Sequence, residues 1–414
     1  MRLQQRRIDN KVDKRIARNE FLAMERSYKK VSKRVIILNY GLHISGVSRT
    51  LVNFANALVN HGYEVTIKIE INDFTLQSEL DSRVKVSLFL EEPHPFGIRI
   101  KGFLRFYSAW LKHVFQLSPT KQYQMIVKDH YDIEIAFNRG AAARIIAAST
   151  NPKSKKLVWV HSDYMRNDNP LAGFDELEVA QEGYRKFDTI VCVSKQALNS
   201  FAEKLGEGYN LCVRYNIMDV GRIREFSDEF PVMHERFRFV AIGRLCEAKN
   251  YRLLIDAISL LNQKHYDFDC SIIGGGALED ELKAYAEKND VGNIHFLGAK
   301  SNPFPYLKCA DVYVSSSIYE GLSTTTIEAI ILGKPCIVTN CAGMHDILGY
   351  HNEFGIIVPF DANALADAMD SMMTNEKLRV EYSKKAIERS KYFYQEKAFK
   401  DIELLFFSEE ENND

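Results

Sequence analysis

Residues 35–69 read VIILNYGLHISGVSRTLVNFANALVNHGYEVTIKI. The run at 35–40 is short, apolar and β-branched, which predicts a buried parallel strand that ends at Gly41. Val65–Ile69 predicts a second strand. Between the two, apolar residues recur at helical spacing and predict a helix that ends near His61: Leu51, Phe54, Ala55 and Leu58. The stretch therefore predicts a β-α-β unit that opens a doubly wound α/β domain.

The alternation of strands and helices continues along the chain and predicts two such domains. Residues 95–125 are aromatic-rich and predict helix. The length of 414 residues also favours two domains over one. Further strands are predicted in the first half at Ile133–Phe137, Leu157–Val160 and Thr189–Val193, and in the second half at Phe239–Ile242, Cys270–Ile273, Ile294–Leu297, Val312–Ser315, Cys336–Val338 and Ile356–Val358.

Composition shifts divide the chain into five parts. We expect a basic N-terminal arm at 1–34, a first domain at 35–215, and a polar, irregular linker around Pro231 at 216–236. A second domain is expected at 237–385, followed by a C-terminal helix within 386–414 that packs back on the first domain. Ligands bind at the carboxyl ends of parallel strands, so the cleft between the two domains is the predicted site.

Composition also excludes several classes of protein. The longest apolar run is four residues, far short of the ~18 residues of a membrane-spanning helix. No apolar segment follows the N-terminal charges, so no secretory signal is expected. The seven cysteines are scattered without Cys-x-x-Cys spacing, which argues against zinc and favours the cytoplasm. The net charge of −1 argues against a general nucleic-acid binder.

The near-zero net charge conceals an asymmetry. Residues 1–34 hold twelve Lys or Arg and four acidic residues, a surplus of eight positive charges, and the rest of the chain has a surplus of nine negative charges. Ile8, Val12 and Ile16 form a narrow apolar stripe on the predicted basic helix. One interpretation is a surface that binds anionic lipid at the inner face of the cytoplasmic membrane; the other is a solvated leader.

Two loops that follow predicted strands carry candidate phosphate-binding groups. Arg244 closes a strand and Lys249 lies just before a helix, so both cations suit a diphosphate, although ordinary loop charges explain them equally. Gly274-Gly275-Gly276 follows the next strand. Glycines there allow the close approach of a ligand or of a neighbouring backbone.

The richest stretch is residues 315–329, which read SSSIYEGLSTTTIEA. Its Ser/Thr cluster can cap a helix that starts near Ser323, and the free amides of that first turn form an anion site. Glu320 precedes the helix and Glu328 lies within it. A carboxylate can accept hydrogen bonds from two adjacent hydroxyls, as ribose or a sugar ring offers. A solvated acid is the alternative for Glu328, but its neighbours are nearly all apolar.

The pattern Glu320-x₇-Glu328 resembles the signature of the family 4 retaining glycosyltransferases, which have the GT-B fold of two Rossmann-like domains facing across a cleft. The resemblance spans about residues 35–400 and is strongest in the second half. The sequence of residues 320–325, EGLSTT, is most similar to that of bacterial enzymes that build capsule, exopolysaccharide or lipopolysaccharide. Supporting segments are Trp159-Val-His161-Ser, Val193-Ser194, Asn216-Ile-Met-Asp219, Gly243-Arg244-Leu, Lys249-Asn250, Phe296-Leu-Gly298, Ala310-Asp311-Val-Tyr-Val-Ser-Ser, Gly333-Lys-Pro335 and Asn352-x₂-Gly355.

The resemblance implies roles for matching residues in the second domain. Arg244 and Lys249 would hold the donor diphosphate, Glu328 would bind the ribose hydroxyls, and Glu320 would contact the transferred sugar. Arg244, Lys249, Glu320 and His161 are thus the implied catalytic residues. The remaining donor contacts would come from the backbone at Gly274, Gly321, Leu322, Ser323 and Thr324.

In the first domain, the resemblance implies that His161 faces the donor sugar across the cleft, whereas by itself this histidine suits a buried structural role. Gly46 matches the second glycine of a Gly-Gly turn near the diphosphate. Ser45 stands where the family usually has the first glycine, and Ser48, followed by Arg49, stands where an acid is common.

The implied activity is transfer of a sugar, with retention, from a nucleotide diphosphate sugar to a glycan or lipid-linked glycan acceptor bound by the first domain. No Asp-x-Asp motif ends a strand, so neither a metal nor another cofactor is expected. A GT-B sugar-nucleotide epimerase, a phosphorylase and a non-catalytic sugar-nucleotide-binding scaffold are the alternatives. A Rossmann dehydrogenase is not expected, because no Gly-x-Gly-x-x-Gly follows the first strand.

Overall fold

The computed structural model describes residues 33–90, 114, 116–166, 169, 171–233 and 235–407. Most of the predicted basic arm lies outside these residues, as does 95–113 of the stretch predicted to be helical. Within the described part of the chain, no helix has the length and apolar character that a membrane crossing requires.

The first domain is built on a seven-stranded sheet in the order β3-β2-β1-β4-β5-β6-β7, and every neighbouring pair is parallel. β4 and β6 are buried at every residue, as expected for strands covered by helices on both faces. The strands are β1 Arg34–Asn39, β2 Glu64–Ile69, β3 Lys85–Leu88, β4 Ile133–Ala136, β5 Lys155–Val160, β6 Thr189–Cys192 and β7 Leu211–Val213.

Five described helices belong to the first domain. The N-cap of α1 is Ser45, whose side chain accepts a hydrogen bond from the Ser48 amide. The helices are α1 Gly46–Asn60, α2 Pro119–Ile126, α3 Ala141–Ala147, α4 Leu177–Tyr184 and α5 Lys195–Leu205.

The second domain contains a six-stranded parallel sheet in the order β10-β9-β8-β11-β12-β13. Its strands are β8 Phe237–Ile242, β9 Phe268–Ile273, β10 Ile294–Phe296, β11 Val312–Ser315, β12 Cys336–Thr339 and β13 Ile356–Val358. The helices that follow the first domain are α6 Val220–Ser227, α7 Tyr251–Asn262, α8 Glu279–Lys288, α9 Phe304–Cys309, α10 Thr324–Ile331, α11 Met344–Leu348, α12 Ala362–Thr374, α13 Glu376–Ser390 and α14 Gln395–Glu403.

The two doubly wound sheets confirm the predicted α/β architecture, but three elements differ from the prediction. Strands β3 and β7 were not predicted, because they are short edge strands with only partly buried residues. Residues 216–236 were predicted to be an irregular linker, yet they contain helix α6, which is capped by Asp219. That helix packs against α9 and α10 of the second domain, and this tertiary contact outweighs its polar composition.

The chain crosses between the domains at two adjacent places. After β7 it runs through Met218, which forms an isolated parallel bridge with Tyr394 on the returning segment. Beyond Tyr394, helix α14 lies on the first domain, where Phe399 stacks on His61 with ring centroids 3.9 Å apart. The two crossings place the connection between the domains beside β7 and leave the cleft along the carboxyl ends of the strands.

Candidate functional site

The N-terminus of helix α10 forms the base of the site. The helix follows the loop that starts at the carboxyl end of β11, and the Ser323 side chain caps it by accepting a hydrogen bond from the Thr326 amide at 3.3 Å. The amides of the first turn have no partner inside the helix, and the helix dipole favours an anion there. The predicted segment from Gly321 to Thr324 therefore presents backbone N–H groups to the cleft.

Lys249 and Glu320 form an ion pair beside this helix start. Lys249 Nζ lies 2.5 Å from Glu320 Oε1, and Ser317 Oγ donates to the same oxygen at 2.9 Å. The two side chains are only 20% and 16% exposed. Burial alone would lower the pKa of Lys249, but the charge and hydrogen bond of Glu320, together with the neighbouring Tyr313 and Cys341, outweigh burial and the pKa is raised. The loops after β8 and β11 thus hold one fixed cation and one fixed anion in contact.

Glu328 is buried on α10, one helical turn from Thr324. Only 8% of the residue is exposed. Burial raises its pKa to about 7, although the positive charges of Arg49 and Lys249 act in the opposite direction. At neutral pH the side chain is therefore less ionised than that of a solvent-exposed glutamate. A buried carboxyl group at a cleft, poised to ionise, is a candidate for binding a ligand.

Arg244 has a different environment from Lys249. It follows β8 and Gly243, and its side chain is exposed to solvent. In the described ranges, no acidic side chain forms an ion pair with its guanidinium. The site therefore offers one free cation next to the paired one, at the carboxyl end of the same strand.

The glycines after β9 serve the packing of backbone. A Cβ atom built at Gly274 would lie 1.8 Å from the Gly243 carbonyl oxygen, and one at Gly276 would lie 2.3 Å from the Leu245 carbonyl oxygen. Both glycines are required by the loop that carries Arg244, so neighbouring backbone accounts for them without a ligand. Gly274 lies at the site as support for that loop.

Two of the predicted glycines lie where the domains meet. A Cβ atom at Gly321 would lie 1.8 Å from the His161 carbonyl oxygen, and one at Gly46 would lie 3.1 Å from Thr324 Oγ1. The donor-side loop of the second domain thus touches the backbone of the first domain on both sides of the helix start. The two domains are therefore in contact across the cleft, and this contact brings the backbone of His161 to the loop that carries Glu320.

His161 follows β5 directly, and although the residue is partly exposed, one nitrogen of its ring is buried. Its ring lies 4.8 Å from the Phe137 ring, and its Nε2 atom is buried without a hydrogen-bond partner in the described part of the chain. Burial lowers its pKa to about 4, against a hydrogen bond with the Phe137 backbone. A histidine with a purely structural role would have hydrogen-bond partners for its buried ring nitrogens. The Nε2 atom of His161, at the junction of the domains, does not fit that role.

The structure also brings in residues that the sequence did not point to. Glu79 Oε2 lies 2.8 Å from an Arg222 nitrogen and 3.7 Å from an Arg49 nitrogen. These three side chains line a polar cavity together with Asn53 and Glu328. Residues 49, 79 and 222 have no common sequence motif, and only the fold brings them together. Among the residues that the structure describes, no three His, Cys, Asp or Glu side chains converge as a metal site.

Two family models match consecutive halves of the chain. "Glycosyltransferase Family 4" matches residues 44–222, and "Glycosyl transferases group 1" matches residues 223–389. The boundary between the two matches falls within helix α6.

Curated relatives are glycosyltransferases. An uncharacterized glycosyltransferase of Methanocaldococcus jannaschii is 27% identical over 376 residues, covering 80% of this chain and 89% of the relative. The Campylobacter jejuni N-acetylgalactosamine-N,N'-diacetylbacillosaminyl-diphospho-undecaprenol 4-alpha-N-acetylgalactosaminyltransferase is 30% identical over 222 residues, covering 53% of this chain and 60% of the relative.

Solved structures of similar fold include Anabaena HepE in complex with UDP and glucose, with a TM-score of 0.69 and 16% identity over 90% of this chain and 98% of that chain. Another is Staphylococcus aureus TarM in complex with fondaparinux, alpha-GlcNAc-glycerol and UDP, with a TM-score of 0.72 and 14% identity over 91% of this chain and 100% of that chain. These likenesses show the fold.

Proposed function

The chain belongs to the GT-B glycosyltransferases, with a family 4 first half and a group 1 second half, and we propose that it is a retaining enzyme of bacterial surface polysaccharide synthesis. In this proposal it transfers a sugar from a nucleotide diphosphate sugar to a glycan or lipid-linked glycan. One observation carries the proposal: Lys249, Glu320, Glu328 and the free amides of α10 converge at one edge of the second sheet, with Arg244 beside them. The name of the Campylobacter relative, which specifies a diphospho-undecaprenol acceptor, supports the acceptor class.

The donor diphosphate would lie at the start of α10. Arg244 is exposed and can turn to a phosphate oxygen, while the amides after Ser323 donate to the other oxygens. The positive charge of Lys249 is fixed beside the start of α10 by its ion pair with Glu320. Breakage of the sugar–phosphate bond leaves negative charge on the diphosphate, and these fixed donors stabilise it.

The nucleoside would be held through Glu328. Its two carboxylate oxygens can accept hydrogen bonds from the two ribose hydroxyls. Such hydrogen bonds favour the ionised form, so nucleotide binding would lower the raised pKa and release a proton.

The sugar would lie between Glu320 and His161. With a pKa of about 4, His161 is neutral at physiological pH, so it contributes a hydrogen bond to the sugar rather than a charge. We propose front-side attack, in which the leaving phosphate takes the proton of the acceptor hydroxyl, since both then stay on the same face of the sugar. The closed contact between Gly321 and His161 would exclude water, which otherwise hydrolyses the donor.

The donor is tested by a thermal-shift screen of nucleoside diphosphates and nucleotide sugars. A ligand that binds only the folded protein raises its stability by RT ln(1 + [L]/Kd), so the true donor gives the largest shift. Incubation of that donor with and without acceptor, followed by NMR of the new anomeric bond, then tests the reaction. Conversion of the donor alone would indicate an epimerase, and a requirement for phosphate without nucleotide would indicate a phosphorylase; either result refutes the proposal.

The acceptor class extends the proposal to the basic arm at 1–34. The surplus of eight positive charges would hold the protein to anionic lipid at the inner face of the cytoplasmic membrane, next to a lipid-linked acceptor. Deletion of residues 2–30 should abolish co-sedimentation with vesicles that contain anionic lipid and leave transfer to a water-soluble acceptor unchanged. Vesicles of neutral lipid are the control, and undiminished binding of the truncated protein would contradict the role of the arm.

A further inference from the structure

We propose that Asp346 is a positioning residue. It anchors the second domain to the first, beside the two places where the chain crosses between them, and thereby fixes the loop that carries Gly321. Asp346 lies on α11 and is only 5% exposed. Its Oδ2 accepts a hydrogen bond from the Lys195 amide at 3.1 Å, and its Oδ1 accepts one from the Tyr215 hydroxyl at 3.2 Å. One buried carboxylate of the second domain is therefore bonded twice to the first domain.

The two partners lie in different parts of the first domain, one at the start of a helix and one in the segment that leaves the domain. Lys195 is the first residue of α5, so the carboxylate also lies at the positive end of that helix dipole. Tyr215 lies two residues beyond the end of β7 and precedes the first crossing of the chain between the domains. Its ring packs on Phe393, in the returning segment, with centroids 5.4 Å apart. The anchor thus lies beside both crossings, where a rotation of the domains displaces atoms least.

The backbone around Asp346 is held from the other side. Arg389, near the end of α13, donates from Nε to the Ile347 carbonyl at 2.9 Å and from a terminal nitrogen to the Asp346 carbonyl at 2.5 Å. Its guanidinium also lies 5.5 Å from the centre of the Phe393 ring. These bonds satisfy carbonyls at the end of α11, which has no continuing helix to do so. Helix α11 is therefore fixed relative to both crossings.

The start of α11 touches the donor loop. Gly343 is the N-cap of α11 and adopts a φ of +79°, and a Cβ atom there would lie 2.5 Å from the Gly321 carbonyl oxygen and 3.1 Å from the Leu322 Cα atom. Gly321 in turn touches His161, so a displacement of α11 reaches the junction of the cleft through two backbone contacts. Asp346 is outside the donor pocket and acts on it through Gly343 and Gly321.

The test compares Asp346→Ala and Tyr215→Phe with wild type. The second variant removes a hydroxyl and keeps the ring that packs on Phe393. Misplacement of a catalytic loop can cost on the order of a hundredfold in rate, so we expect kcat to fall by about tenfold to a hundredfold in Asp346→Ala and by less in Tyr215→Phe. The affinity for UDP, used as the probe and measured by calorimetry, should change much less than kcat, because Arg244, Lys249 and Glu328 belong to the second domain and do not depend on its anchor to the first. With UDP bound, the radius of gyration from small-angle scattering should be larger in both variants.

Asp311→Asn is the matched control, because Asp311 accepts a hydrogen bond from the Arg238 amide within the second domain only. Its kcat and radius of gyration should match those of wild type. Wild-type kcat and scattering in Tyr215→Phe would overturn the proposal. A loss of UDP affinity that follows a loss of thermal stability would also overturn it, since the role would then be structural alone. The kinetic part rests on the proposed function; if wild type transfers no sugar, scattering still tests the anchor.

Discussion

The two halves of the molecule build the cleft in different ways. In the second half, the chemistry is local: residues 320–328 supply two carboxylates and a helix start within nine positions. In the first half, residues from separate elements reach the same cleft, among them Gly46 and Arg49 at the start of α1 and His161 after β5. A short segment can hold its groups in place by itself, whereas dispersed groups depend on how the domains are placed. The second half should therefore supply most of the binding energy for the donor, and the first half should act by closing the cleft over it.

The largest effect is expected from Lys249→Ala in the second half. The substitution removes the cation that neutralises the leaving diphosphate and leaves the partly buried Glu320 carboxylate without its ion-pair partner. Loss of one preorganised stabilising group typically lowers kcat on the order of 100- to 1,000-fold. Steady-state kinetics with the identified donor measure it. Lys264→Ala is the control, because Lys264 pairs with Asp370 away from the cleft. An activity within the range of that control would refute the assignment of the diphosphate site.

This contrast between local and dispersed groups also explains what the sequence could predict. All six strands of the second sheet were predicted, because they are short apolar runs bounded by turns. The missed strands β3 and β7 are partly exposed edges, and helix α6 has a polar sequence that is stabilised by its packing on the second domain.

The features of the site also fall into two groups, those visible in the local sequence and those that depend on the fold. The spacing of Glu320 and Glu328 is visible in the sequence, because both residues belong to one loop and helix. The contact of Glu320 with Lys249, 71 positions away, depends on the order of strands β8 and β11 in the sheet. The contact of Gly321 with His161 depends on the placement of the two domains and leaves no periodic signal in either segment.

Gly321→Ala tests the junction between the halves. Its new Cβ atom would lie 1.8 Å from the His161 carbonyl oxygen, so the contact between the two domains must open or shift. Overpacking of this kind costs about 1–3 kcal/mol, and we expect kcat/KM to fall by about tenfold. Gly292→Ala adds the same methyl group where no atom lies within 4 Å and should leave kcat/KM unchanged. Equal activity of the two variants would show that the closed contact has no part in catalysis.

His161→Ala tests the first half alone. Loss of one neutral hydrogen bond to the sugar should lower kcat by about tenfold, less than the loss of Lys249. The pKa of about 4 also predicts that the rate of wild type shows no transition due to His161 between pH 6 and 8. His295→Ala, which removes an exposed histidine of the second half, is the control. If His161→Ala costs more activity than Lys249→Ala, the division of roles between the halves is wrong.

The smallest effect on kcat is expected from Glu328→Gln. This substitution separates nucleotide binding from the stability of the fold within the second half. The pKa of Glu328 is raised from 4.5 to about 7, so the folded protein binds this proton more tightly than the unfolded chain does. Wild-type stability should then decrease as pH rises from 4.5 through 7, since ionisation of the buried group favours unfolding. Glu328→Gln stays neutral, so its stability relative to wild type should improve over that range, by about 3 kcal/mol at pH 8.

The same substitution should weaken nucleotide binding, most clearly at pH 8, because only the ionised carboxylate accepts hydrogen bonds from both ribose hydroxyls. Denaturant unfolding and calorimetry at pH 5 and pH 8 measure the two effects, with Glu287→Gln on α8 as a control that removes an exposed carboxylate. Tighter UDP binding by Glu328→Gln would show that Glu328 is not the ribose ligand, and a stability difference that is the same at both pH values would show that its pKa is not raised. A gain in stability coupled to a loss of affinity would instead show that the protein keeps a destabilising buried acid for its donor.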